Sequence, residues 1–158
     1  VNGELISKMG KNRPHVHCAT LIFEWLLATF GSGVVNFEAP IDVHPFDNPA
    51  NEPVPDIIVL KRGLRAILSG NPQPEDLHLV VEVADTSLAF DLSTKAALYA
   101  RAGIDEYWVL DINGRCLFVH RDPTAGRYAS VTSYGQDEAV APLSAPESEF
   151  RVGQALLP

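Results

Sequence analysis

The chain has 158 residues, of which 46% are hydrophobic and 20% charged, a balance that suits one globular domain over residues 1–158 and excludes a disordered or low-complexity protein. A formal net charge of −8 excludes a general nucleic-acid coat, because phosphate binding draws on Lys and Arg that release counterions. The longest apolar runs, Leu21 to Phe30 and Leu77 to Ala84, fall short of the roughly 20 residues of a membrane span and carry Glu24 and Glu82, so no membrane association is expected.

In chain order, Glu4 to Met9 reads as a short strand. From about Pro14, the positions Val16, Ala19, Phe23, Leu26, Leu27 and Phe30 follow helical spacing until Gly31 and Gly33 stop it. Val34 to Val43 is strand-like and ends near Pro45, and a short apolar strand runs from Asp56 to Leu60. Proline-rich stretches at 40–55 and 71–74 read as connections. Leu77 to Ala84 is the strongest strand; Leu88 to Ala102 then makes a helix ended by Gly103, before the strand Glu106 to Asp111. A strand, helix, strand unit of this kind belongs in the middle of a sheet. Asn113-Gly114 marks a tight hairpin into Arg115 to His120, and Tyr128 to Ser133 supplies another strand. The expected fold is α/β, a mixed sheet flanked by helices.

Two cysteines, Cys18 and Cys116, lack metal spacing and fit reduced thiols in a cytoplasm, with one long-range bridge as the alternative. His15, His17, His44, His78 and His120 make no recognisable zinc pattern. Two local basic groups, Lys8, Lys11 and Arg13 near the start and Lys61, Arg62 and Arg65 in the middle, read either as phosphate contacts or as solvated surface.

Three residues carry the chemistry. Glu82 interrupts a run apolar enough to be buried on both faces, where a carboxylate must be protonated, salt-bridged, at an exposed strand end, or bound to a cation. Asp56 follows Pro55 and opens an apolar strand; alone it reads as a turn residue, but with a second carboxylate on a neighbouring strand it offers the hard oxygens that Mg²⁺ prefers. Lys95 shares the stripe Leu88, Leu92, Tyr99 and Ala102, spaced four, three, four and three. It either pairs with Asp91 at i, i+4, snorkels outward, or reaches the Glu82 strand and presents its ammonium to a phosphate or a water.

Several segments resemble the Uma-two family of restriction-endonuclease-like proteins: Asn2 to Ile6, Pro55 to Val59, Leu79 to Val83 and, most specifically, Asp91 to Asp111, with Lys95, Tyr99, Gly103 and Glu106-Tyr107-Trp108 in family order. The resemblance implies a PD-(D/E)XK nuclease core, Mg²⁺- or Mn²⁺-dependent phosphodiester hydrolysis, and nucleic acid as the partner, DNA ahead of RNA or a branched form. It assigns Asp56 to the PD aspartate and Glu82 to the second acidic motif, both as metal ligands. The superfamily lysine two positions further on is replaced here by Ala84, so the resemblance implies that Lys95, on the following helix, takes its role. Glu4 and His17 resemble accessory family positions, although His17 also reads as a capping or surface residue and Glu4 as a solvated one. A homodimer follows by analogy with enzymes that cut both strands. The rival readings are a nuclease-fold binding or regulatory module without catalysis, and a plain oligomerising scaffold in which Asp56, Glu82 and Lys95 need not converge.

Overall fold

A computed structural model of the chain describes residues 1–3 and 11–158, so the strand expected at Glu4 to Met9 lies outside the described residues. Six strands, β1 (Val35–Phe37), β2 (Ile57–Leu60), β3 (Leu77–Ala84), β4 (Glu106–Asp111), β5 (Cys116–Thr124) and β6 (Arg127–Gly135), form one sheet in that spatial order. Only β3 and β4 run parallel; every other neighbouring pair is antiparallel. A parallel pair needs a crossover, and the helical run from Leu88 to Arg101 supplies it. The strand, helix, strand unit therefore fills the middle of the sheet, as its sequence pattern demands.

Alternation along β3 divides the interior into two layers. Leu79, Val81 and Val83 pack with Ile22, Leu26, Trp108 and Phe150 beneath the first helix, α1 (Arg13–Phe30). Val80 and Ala84 face Leu98, Tyr99 and Tyr107 under the crossover helix. Glu82 alternates onto this second face. Asn12 caps α1 by accepting from His15 N, and Pro14 occupies its first turn.

Four sequence expectations are corrected. The buried stripe of α1 is His15, Cys18, Ala19, Ile22 and Leu26, whereas Val16 is exposed and Phe23, Leu27 and Phe30 only flank the core. Counting strong hydrophobes alone passes over the histidine and cysteine that centre this face. The strand expected from Val34 to Val43 shrinks to three residues, because Glu38 turns into the left-handed region at φ 52° and Pro40 cannot donate to a ladder. The crossover helix is not uniform: α-helix at Leu88–Phe90 and Ala96–Arg101 brackets a π turn at Asp91–Lys95. Finally, Asn113-Gly114 belongs to a four-residue loop between Asp111 and Cys116, with the positive φ at Arg115. A Cβ on Gly114 would overlap the Asp111 carboxylate, which is what glycine avoids there. The two-residue turn is instead Ala125-Gly126, with φ of 53° and 78°, between β5 and β6.

Both cysteines are free thiols. Among the described residues no helix is long and apolar enough to cross a membrane.

A small sheet of β7 (Ala139–Val140) and β8 (Phe150–Arg151) is carried by the C-terminal segment, and one buried ion pair ties that segment down. Glu106 is fully buried; its Oε2 accepts from Trp108 Nε1 at 3.0 Å and Arg121 Nε at 2.8 Å, and its Oε1 from Leu143 N at 3.0 Å. Arg121 Nη2 continues to the Ala141 carbonyl at 2.6 Å. Removing Glu106 leaves a partly exposed Arg121 that water can reach, so the cost falls below the roughly 3–5 kcal/mol of a fully buried pair and comes mainly from the Trp108 Nε1 and Leu143 N donors left without an acceptor, about 1–3 kcal/mol. Glu106→Ala is expected to lose about 2–3 kcal/mol in equilibrium urea unfolding, and a loss under roughly 1 kcal/mol would mark the network as peripheral.

Candidate active site

Antiparallel register makes the first contact. Ile57 pairs with Val81, so one step outward sets Asp56 opposite Glu82. Asp56 N donates to Glu82 Oε2 at 3.4 Å, and Val83 N donates to Asp56 Oδ2 at 2.8 Å. Each residue is only 2% exposed.

The crossover helix brings the third residue. Lys95, at the end of the π turn, places Nζ 2.8 Å from Glu82 Oε1 and 3.2 Å from Asp91 Oδ1. The i, i+4 pair and the reach toward β3, alternatives from sequence, thus coexist in one side chain. Tyr99 OH donates to the same Glu82 oxygen at 3.3 Å, Tyr107 OH donates to the Asp91 carbonyl at 3.1 Å, and Ser87 Oγ donates to Asp91 Oδ2 at 2.6 Å. Single π turns recur where a helix must re-aim side chains at a functional site.

The start of α1 closes the other side. Lys11 Nζ lies 3.2 Å from Asp56 Oδ1 and also pairs with Glu38. His15 Nε2 lies 3.4 Å from Asp56 Oδ2, and its Nδ1 is buried without a hydrogen-bond partner among the described residues. Beyond them the Asp85 carboxylate accepts from Asn113 Nδ2 at 2.9 Å and from Asn12, and these bonds hold it below the usual carboxylate range. Sequence reasoning gave no place beside the carboxylates to His15 or Asp85, and took Lys11 only as one of a basic group and Asp91 only as a partner of Lys95. His15 had a readable signal: it lies three, seven and eleven positions before Cys18, Ile22 and Leu26, on the buried face. His17 is exposed and takes part in none of these contacts, Glu4 falls outside the described residues, and Ala84 is fully buried.

Electrostatics follow from burial. Asp56, Glu82 and Asp91 are buried carboxylates, and Lys95 and Lys11 are the lysines beside them. Desolvation pushes Glu82 up to about 7; the Asp56 and Asp91 charges add to that rise while Lys95 opposes it. Burial acts to lower Lys95, but Glu82 and Asp91 outweigh it and hold the ammonium above the ordinary lysine range. Two carboxylates from adjacent strands suit a hard divalent cation whose other positions are filled by water and phosphate oxygens. Among the described residues no three of His, Cys, Asp and Glu gather into a metal cage.

The fold is a mixed α/β sheet with flanking helices in which acidic side chains meet where β2 begins beside β3. The sequence matches the Uma2 family, described as "Putative restriction endonuclease", over residues 1–153, and the chain belongs to that family. The structure is similar to the crystal structure of a protein from Anabaena variabilis ATCC 29413 titled a "putative nuclease belonging to DUF820", with a TM-score of 0.74 and 14% identity over 98% of this chain and 87% of that one. At that identity the likeness speaks to fold alone. No curated protein matches the sequence.

The raised Glu82 carries a stability signature. Unfolded, it deprotonates near 4.5; folded, near 7. Between those values the folded state keeps a proton that the unfolded state has lost, so this contribution to stability is fullest below the unfolded value and declines as pH rises through the folded one. Without divalent metal, wild type is expected to lose on the order of 3 kcal/mol relative to Glu82→Gln between about pH 4.5 and pH 8, read from urea midpoints. Parallel pH profiles would remove Glu82 as the source.

Proposed function

We propose that this nuclease-family chain is a Mg²⁺- or Mn²⁺-dependent endonuclease acting on DNA, in which Asp56 and Glu82 hold the cation and Lys95 attends the scissile phosphate. The observation that carries the reading is the convergence on Glu82 of a second buried carboxylate residue and a largely buried ammonium: the Asp56 backbone N–H, just ahead of β2, lies 3.4 Å from one Glu82 oxygen, and Lys95 Nζ, from the crossover helix, lies 2.8 Å from the other. A plain scaffold has no need of such a cluster, which carries a desolvation cost at each charge.

When bound there, the cation would polarise the phosphoryl oxygen and lower the pKa of an attacking water. The chain's own groups do the rest. Val83 N, Lys11 and His15 fix the Asp56 carboxylate, while Tyr99 and Lys95 fix one oxygen of Glu82 and leave the other turned toward Asp56. Lys95 remains charged and is positioned to steady negative charge that develops on the phosphate. With a net charge of −8, the protein must meet DNA through local cations, and Lys11 stands beside the site with Arg13 exposed two residues on.

The decisive assay is cleavage of single-stranded, duplex and branched DNA and RNA with Mg²⁺ or Mn²⁺. Folded Glu82→Ala should abolish cutting, and Lys95→Ala should reduce it by about 100-fold or more. Metal bound by the wild type without cleavage of any substrate would favour a nuclease-fold binding module, and unfolding of Glu82→Ala would favour a structural role. Independently, calorimetric Mn²⁺ titration near pH 6.5, in buffers of differing ionisation enthalpy, should show up to about one proton released by wild type and none by Glu82→Gln.

A further inference from the structure

The two edges of the main sheet are built differently. β1 offers three residues before Glu38 and Pro40 turn the chain away, whereas β6 runs for nine, and among the described residues the bonds to its backbone from outside the sheet are confined to Glu138 at its last residue, Gly135. Long open edges are ordinarily guarded by lysine, proline, a bulge or a covering loop. Between Tyr128 and Tyr134 there is no charged residue and no proline, and Val131 at the centre is 54% exposed. In a chain of net charge −8, this neutral strand is where a second copy meets the least repulsion.

We propose that β6 pairs antiparallel with β6 of a second copy about a two-fold axis through Val131, joining two six-stranded sheets into one. The strand is close to its own mirror image about that point: Ser130 answers Thr132 and Ala129 answers Ser133. An isologous contact requires such self-complementarity, and Ser facing Thr is a favourable cross-strand pair. The ends complement as well. Register about Val131 sets Arg127 opposite the partner's Gly135, two positions from an acidic Asp137-Glu138 turn, and among the described residues neither Arg127 nor the Asp137 carboxylate is otherwise ion-paired. β6 lies three strands from β3, so the pairing leaves the Glu82 site uncovered and does not rest on the nuclease reading.

Sedimentation equilibrium of the full chain over about 1–100 µM tests the assembly directly, with a species of twice the chain mass expected. Val131→Lys sets like charges together on the axis and should weaken association at least about tenfold, with the circular-dichroism spectrum unchanged. Cysteine variants in a Cys116→Ser background test the register: Val131→Cys should cross-link to itself on mild oxidation, while Ser133→Cys should cross-link only when mixed with Ala129→Cys. A wild type that stays monomeric, a dimer indifferent to Val131→Lys, or self-cross-linking of Ser133→Cys as readily as Val131→Cys would overturn the proposal. Should Val131→Lys fail to fold, the cysteine pattern decides.

Discussion

A carboxylate at the sixth position of a strand buried on both faces cannot turn away from the interior, so the structure around Glu82 has to come to it. Three elements do so. β2 brings Asp56 by register, the crossover helix brings Lys95 and Tyr99, and α1 brings Lys11 and His15 to Asp56 in turn. The order of strands in the sheet and the path of the crossover are what let segments so distant in sequence meet.

Comparison with Glu106 shows that burial alone does not make a site. Glu106 is at least as buried, yet every donor around it is satisfied, Arg121 balances its charge, and no second carboxylate is near among the described contacts. Glu82 instead shares one lysine with Asp91 and faces Asp56, so negative charge accumulates where water is scarce and its proton is held to about 7. One carboxylate closes a local network. The other stands in a cluster that a cation would relieve.

Much of this was legible before any coordinates. Leu77 to Ala84 and Glu106 to Asp111 are continuous apolar runs, and for such runs sequence pattern and burial coincide, so their bounds emerged unchanged. Glu82 and Lys95 were legible as contradictions of pattern, polar residues on apolar stripes. Asp85 was not, because it lies in polar surroundings, and Lys11 read only as one of a local basic group; their partners Asn12 and Asp56 become apparent once the start of α1 meets the strand ends. His15 was hidden by the choice of which residues count as apolar. Asn113-Gly114 misled because its dipeptide chemistry is local, while the turn is set by where β4 and β5 stop pairing.

That the ammonium beside Glu82 comes from the helix and not from β3 itself has a structural reason. Ala84 has no exposure and packs into the layer with Leu98 and Tyr99, where a lysine stem would have to displace core atoms. The crossover helix crosses that same face, and its π turn ends on Lys95, letting the side chain approach Glu82 while its stem remains on the helix surface. Asp91, at the other end of the same turn, gives the ammonium a second anionic partner and keeps it charged despite burial. The ammonium beside Glu82 is therefore supplied by an element that the parallel β3 and β4 pair requires in any case, so the crossover that builds the sheet also brings Lys95 to the buried carboxylates.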